Sequence, residues 1–230
     1  MNPEKKVQNS NTYDEMYASN QESGAYGLPY YKSCYFPLYK HVKRILDKNR
    51  DNRILEVGCG SGGFAHYLFD TTNMIYRGFD FSGVAVDYAR MRTGRSDVFH
   101  IGDATHKKSY LCDYDTIICT EVLEHVEQDL DIMSMWKSGT FCICSVPNFD
   151  SPYHVRHFKN ENEVISRYGD IIQIDSLKII KKPVIEDISL SNRLKMIRWN
   201  RYRPKRLIEL LGLGDFDTVG GWYIFTGYKK

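Results

Sequence analysis

Two groups of residues in this 230-residue chain could carry chemistry. The first is Glu121-Val-Leu-Glu-His125, joined by His154 and His157 from the stretch Ser145 to Phe158 that follows the next apolar segment. On a helix, positions 121, 124 and 125 share a face, so two carboxylates and an imidazole converge. A histidine titrates close to neutrality and a neighbouring Glu can orient it, which makes His125, His154 and His157 the candidates for a general base. The alternative for each is a satisfied structural histidine. The second group is a turn in which Gly58, Gly60 and Gly62 alternate directly after the apolar run Ile54 to Val57, with Glu56 inside that run. Such a turn bends sharply and lets a ligand lie against main chain, so it reads as the seat of a nucleotide-like cofactor, with a purely structural loop as the alternative.

These groups need a scaffold that delivers them to one edge. Asp80 closes the apolar segment Ile75 to Asp80, at a place where a carboxylate in a doubly wound sheet accepts both hydroxyls of a ribose. Gly102-Asp103-Ala104 follows a third apolar segment, and Thr120 and Glu121 follow a fourth. Strands are predicted near 53–57, 75–79, 97–101, 115–119 and 140–146, alternating with helices near 62–70, 83–91, 127–137 and 160–168. This alternation predicts an α/β fold with a parallel sheet covered on both faces. Ser82 should cap the helix after Asp80, and Asn160-Glu-Asn-Glu163 reads as a capping box for a helix that Gly169 stops. A sixth strand fits 171–181 and a last one 221–228, while a helix over 29–47 is expected to kink at Pro37.

The order of Glu56-Val-Gly-Cys-Gly-Ser-Gly-Gly63, Gly78-Phe-Asp-Phe-Ser82, Gly102-Asp-Ala-Thr105 and Thr120-Glu-Val-Leu-Glu-His-Val126 resembles the class I S-adenosylmethionine-dependent methyltransferases, over roughly residues 40–180. The resemblance implies a Rossmann-like seven-stranded sheet whose last strand enters antiparallel between its neighbours. It implies S-adenosylmethionine as cofactor and S-adenosylhomocysteine as product. Gly58, Gly60 and Gly62 would then approach the methionine part, Asp80 the ribose, Phe81 one adenine face, and Asp103 with Ala104 the adenine edge and plane. Glu56 would orient the turn or the cofactor's amino group, and Thr120 and Glu121 would lie beneath the methyl group. The N-terminal segment 13–47 is the expected cap over the cofactor, which makes Tyr13, Tyr17, Tyr26 and Tyr30 either pocket wall or packing for the cap.

An O or N atom of a small-molecule acceptor is the expected target, such as a sugar, a polysaccharide precursor or a specialised metabolite, with His125 and His154 as the catalytic pair and no metal. Similar E-x-x-E-H groups with a later histidine hold a divalent ion in small-RNA 3′-end methyltransferases. The alternatives are therefore an RNA 2′-O-methyltransferase using Glu121, Glu124, His125 and His154 as ligands, and a cofactor-binding module without turnover.

Length and composition bound the rest. The chain suits one domain over 13–230, with 1–12 read as a disordered polar tail. With 31 basic against 29 acidic residues, the overall charge makes no case for nucleic acid. No apolar run reaches membrane-spanning length and the N-terminus lacks the apolar centre of a signal peptide, so no membrane partner and a cytoplasmic location are expected. Cys59, Cys112, Cys119, Cys142 and Cys144 fall in or beside predicted strands, where thiols act as small hydrophobes. The segment 183–213 is surplus to the fold and is expected to be a docked helix with an apolar stripe of Leu190, Leu194 and Ile197. Its basic side is read either as a solvated face or as an acceptor-pocket wall in which Arg193, Arg198 and Arg201 grip an anionic group.

Overall fold

A computed structural model describes residues 10–19, 28–49, 53–182, 190–204, 207 and 214–230. Its seven strands are β1 (Arg53–Val57), β2 (Ile75–Asp80), β3 (Phe99–Ile101), β4 (Thr116–Cys119), β5 (Phe141–Pro147), β6 (Ile172–Lys181) and β7 (Gly221–Lys229). They form one sheet in the order β3-β2-β1-β4-β5-β7-β6. The first five run parallel, as the strand–helix alternation predicts, and β7 enters antiparallel between β5 and β6, as the resemblance implies.

Both faces of the central strands are buried, which is why these segments read as unbroken apolar runs. Leu55, Ile117, Cys142 and Cys144 point into one core, and Ile54, Ile118 and Ile143 into the other. The first core is closed by Ile132 and Met133 of α5 (Asp129–Ser134) and by Val164 and Tyr168 of α6 (Glu161–Tyr168). The second is closed by α2 (Phe36–Leu46), α3 (Gly63–Thr71) and α4 (Gly83–Thr93), through Leu38, Val42, Phe64, Leu68 and Val86. All six cysteines are free thiols; Cys34 is exposed and Cys112 half-buried.

Several local expectations are corrected. The helix expected over 29–47 is a 3₁₀ turn at Tyr30–Lys32 followed by α2, and Pro37 stands in the first turn of α2. No intrahelical bond needs an N–H there, so the proline starts the helix and does not kink it. Ser10 to Thr12, expected in the tail, belong to α1 (Ser10–Ser19), while residues 1–9 lie outside the described residues. Asn160 caps α6, but Glu163 reaches back to the N–H of Lys159, at 2.8 Å. Gly169 is right-handed; it is glycine because a Cβ there would lie 2.6 Å from the Ile165 carbonyl. The surplus segment does contain a helix, α7 (Leu190–Trp199), yet Leu194 is 58% exposed and not docked. A short helix α8 (Phe216–Val219) leads into β7.

Candidate active site

The carboxyl ends of β1 to β4 open onto a cavity of about 570 Å³. The turn after β1 is left-handed at Gly58, Gly60 and Gly62, with φ of 69°, 51° and 73°. Side chains are excluded there by contact as well as by dihedral. A Cβ on Gly58 would meet Val122 at 2.3 Å, one on Gly60 the Tyr17 hydroxyl at 2.9 Å, and one on Gly62 the Ala89 backbone at 2.9 Å. Asp80 fixes the turn: one carboxylate oxygen accepts the Gly60 N–H and the other the Ser82 N–H, each at 2.9 Å. Burial nonetheless raises its pKa to about 6. Glu56 does not bond the turn; it accepts the Tyr76 hydroxyl, and burial raises its pKa to about 8.

Helix α1 lies over this turn. The Tyr13 ring meets Phe81 edge-on with centroids 4.9 Å apart, and Asp14 accepts hydrogen bonds from the Ser82 hydroxyl and, at 3.3 Å, from the Val84 N–H. The N-terminal segment is thus clasped to the start of α4. Sequence reading missed Asp14, because nothing local marks a carboxylate whose partner is 68 residues away. Asp103 closes a turn of its own: its side chain accepts the Thr105 N–H at 2.8 Å and the Thr105 hydroxyl at 2.7 Å. Burial works against the charge, but these bonds and the nearby His106 prevail and hold its pKa below the ordinary value.

Tyr17, Glu56, Gly58, Gly60, Asp80 and Phe81 all line the cavity, and so do Asp103, Ala104, Thr120, Glu121 and His125. Gly62 stands behind it against Ala89. Tyr13 and Tyr30 also line it, and Tyr26 lies outside the described residues.

The segment after β4 departs from expectation. It is not helical at Glu121, which takes a left-handed φ of 59°, and only Leu123–His125 form a single 3₁₀ turn. A non-glycine residue in that region carries strain that its surroundings must hold. Here the Ser145 hydroxyl accepts the Glu121 N–H at 3.2 Å and donates to the Glu121 carboxylate at 3.3 Å. Burial, reinforced by Glu124, pushes the pKa of Glu121 well up.

Glu124, His125 and His154 gather, with one ligand atom from each within 4.8 Å of the others, whereas Glu121 stays outside that group. Glu124 is fully buried, its pKa raised to about 8 by burial, and neither of its oxygens has a hydrogen-bond geometry with a described residue. His125 Nδ1 lies 2.9 Å from the Tyr153 carbonyl and His154 Nδ1 lies 3.1 Å from the Phe149 carbonyl. A carbonyl only accepts, so each Nδ1 carries the proton and each neutral ring keeps a lone pair on Nε2. Burial lowers both pKa values; the neighbouring His125 lowers His154 further, to about 4. His157 is exposed, 3.9 Å from Asp150, and outside the group.

What holds this half was not legible in the sequence. Arg156 donates to the carbonyls of Leu123, Val126 and Glu127, and it faces Asp129 at 3.2 Å. Asp129, fully buried, also accepts two bonds from Arg167 at 2.6 and 2.8 Å and one from Tyr168 at 2.9 Å. The Val155 N–H donates to the Glu124 carbonyl at 2.7 Å, tying the two histidine-bearing segments together. Arg198 and Arg201 are exposed and do not line the cavity, and the side chain of Arg193 lies outside those described, so the expected guanidinium wall is not present among the described residues.

A seven-stranded α/β sheet with a glycine turn, two strand-end acids and a deep cavity at one rim defines a Rossmann-like methyltransferase fold. The sequence matches the family described as a methyltransferase domain over residues 35–182. The chain belongs to that family and is a class I S-adenosylmethionine-dependent methyltransferase, with S-adenosylmethionine as its cofactor. Among solved structures, the N-methyltransferase NodS from Bradyrhizobium japonicum in complex with S-adenosylhomocysteine is 14% identical, with a TM-score of 0.58 over 96% of this chain and 99% of that one. A SAM-dependent methyltransferase from Geobacter sulfurreducens, also with S-adenosylhomocysteine, is 16% identical with a TM-score of 0.51 over 84% and 90%. The methyltransferase domain of bacterial CtHen1-C is 14% identical with a TM-score of 0.56 over 84% and 98%. No curated protein sequence matches the chain.

Proposed function

We propose that this methyltransferase delivers the methyl group to an O or N atom of a small-molecule acceptor, with His125 as the base that takes the acceptor's proton. The observation carrying this reading is the His125 ring, which lines the cavity with Nδ1 committed to the Tyr153 carbonyl, leaving the lone pair on Nε2, 3.9 Å from the Glu124 carboxylate, to receive a proton. His154, 4.9 Å away between ring centroids, packs edge-on and supports that orientation. The cofactor supplies its own leaving group, so the protein need only align donor and acceptor and remove a proton. Cofactor contacts are assigned to Gly58, Gly60 and Tyr17 for the methionine part, with Gly62 shaping the turn from behind, Asp80 for the ribose, Phe81 with Asp103 and Ala104 for the adenine, and Glu56 for the amino group. Thr120 and Glu121 form the floor beneath the methyl group.

Incubation with methyl-tritiated cofactor and either the ultrafiltered small-molecule fraction or the RNA fraction of a cell extract tests the reading. Label is expected in the small-molecule fraction; label confined to RNA would overturn it.

One observation favours a second reading. Glu124 keeps two buried oxygens without a hydrogen-bond partner among the described residues beside two imidazole lone pairs, a two-histidine, one-carboxylate donor set that suits manganese, iron or zinc better than magnesium. Glu124, His125 and His154 would hold the ion, which would supply Lewis-acid polarisation of a hydroxyl acceptor such as an RNA 2′-oxygen. Activity abolished by a chelator and restored by manganese would select it.

A further inference from the structure

Helix α7 presents a surface that neither the cofactor cavity nor the cores use. Leu194, Lys195, Arg198 and Trp199 are all exposed, whereas Ile197 is half-buried. At 3.6 residues per turn the four exposed positions sweep one continuous outward arc, opposite the flank of Ile197 and Asn200. The chain then turns through Arg201, Tyr202 and Arg203, also exposed, with the Arg201 guanidinium 4.8 Å from the Tyr202 ring centroid. Trp199 is 84% exposed, Tyr202 82% and Leu194 58%, a concentration of large apolar side chains in water that a monomer does not maintain without use. The sequence contains no acid from Ile188 to Ile208.

We propose that α7 and the turn after it dock on an anionic lipid surface, lying on the membrane and not crossing it. No helix among the described residues is long and apolar enough to span a bilayer, and the expectation of no membrane partner rested on the lack of a spanning run and of a signal-peptide centre, neither of which bears on surface docking. Uniform positive charge fixes the sign of the partner, since each cation near an anionic leaflet adds attraction that a neutral surface does not provide. The apolar members fix its kind. Trp and Tyr prefer the depth of lipid headgroups, where the ring is in an apolar layer and its polar edge is wet. An exposed leucine gains from acyl chains and nothing from a phosphodiester strand. Shape agrees: single-stranded nucleic acid is gripped in a groove that tracks its backbone, while α7 offers a convex, outward-facing arc of the kind that beds into an interface.

The full chain carries its own probe. Of its three tryptophans, Trp136 and Trp222 are buried, so Trp199 is the one open to a solvent quencher. Vesicles of phosphatidylcholine are compared with vesicles in which about a third of the lipid is phosphatidylglycerol, by cosedimentation and by acrylamide quenching. Binding to the anionic vesicles only, weakened by salt and accompanied by protection of Trp199, is expected. Arg198→Glu with Arg201→Glu should lower partitioning by more than about tenfold, and Trp199→Ala with Tyr202→Ala by several-fold. Both variants should keep wild-type affinity for S-adenosylhomocysteine, which shows that they are folded and separates this proposal from the methyl-transfer reading. Equal binding to neutral vesicles, no binding to either, or protection of Trp199 by a single-stranded oligonucleotide but not by vesicles would each overturn it.

Discussion

The two rims of the cavity are built by different means. At the ends of β1, β2 and β3, geometry is set by main chain: three left-handed glycines and an Asp80 carboxylate that accepts two backbone N–H groups. At the ends of β4 and β5, geometry is set by side chains from distant places, Arg156, Asp129, Arg167 and Tyr168, which clamp a segment that has almost no regular structure of its own. A cofactor that does not vary can be met by fixed backbone. An acceptor segment held by side chains can be re-aimed without disturbing the sheet.

The largest expected effect breaks the second rim. Asp129→Ala leaves Arg156 and Arg167 without their buried partner, and removal of one member of such a cluster typically costs about 3–5 kcal/mol. Urea unfolding should register the loss, and a change below about 1 kcal/mol would show that the clamp carries little of the fold's stability. Next is the chemistry itself. His125→Ala should lower turnover by about 10²-fold or more while S-adenosylhomocysteine affinity stays within about twofold; a parallel loss of affinity would place His125 in cofactor binding. His157→Ala, outside the group, should leave turnover unchanged.

The first rim is sharpened by pH. Asp80 in the empty protein titrates at about 6, raised from 3.8. Ribose hydroxyls favour the ionised carboxylate, so affinity for S-adenosylhomocysteine should fall by up to about tenfold per unit as pH drops below 6. Calorimetry at pH 5, 6 and 7 reads this directly, and a flat profile would remove Asp80 from ribose binding. Stability of the empty protein moves the other way. A carboxyl with a raised folded pKa contributes stability fully present below its unfolded value and lost as pH rises through the folded one. For Asp80 that window runs from 3.8 to about 6, and for Glu56 and Glu124 from 4.5 to about 8. His154 opposes them, with stability present above 6.5 and lost as pH falls towards about 4.

The smallest effect concerns the clasp of α1. Asp14→Ala removes the acceptor for the Ser82 hydroxyl and the Val84 N–H, worth about 1 kcal/mol. A several-fold weaker hold on S-adenosylhomocysteine is expected with an unchanged unfolding midpoint for the rest of the domain.

The same contrast explains what was readable in advance. The central strands and the place of Gly58, Gly60, Asp80 and Asp103 at their ends followed from apolar runs, glycines and strand-end acids, all of which are local signals, whereas the antiparallel last strand came from the resemblance to the methyltransferases. The convergence of Glu121, Glu124 and His125 is expected from helical spacing, but a tertiary bond from Glu121 to Ser145 on the neighbouring strand holds the segment out of a helix. Arg156 and Asp129 were invisible for a similar reason: a lone arginine and a lone aspartate acquire meaning only when the fold brings them together. Of the two later histidines, both are candidate bases by residue type and the catalytic pair expected from the sequence includes His154; burial separates it from His157.

The position that Gly58 leaves bare is occupied by Val122, whose methyl would lie 2.3 Å from any Cβ placed there. These two sites therefore form one unit of inheritance. Anyone grafting the 121–126 block from another enzyme to change what is methylated must carry over the residue at 58 as well, since an alanine at one or a bulkier aliphatic at the other overfills the same space.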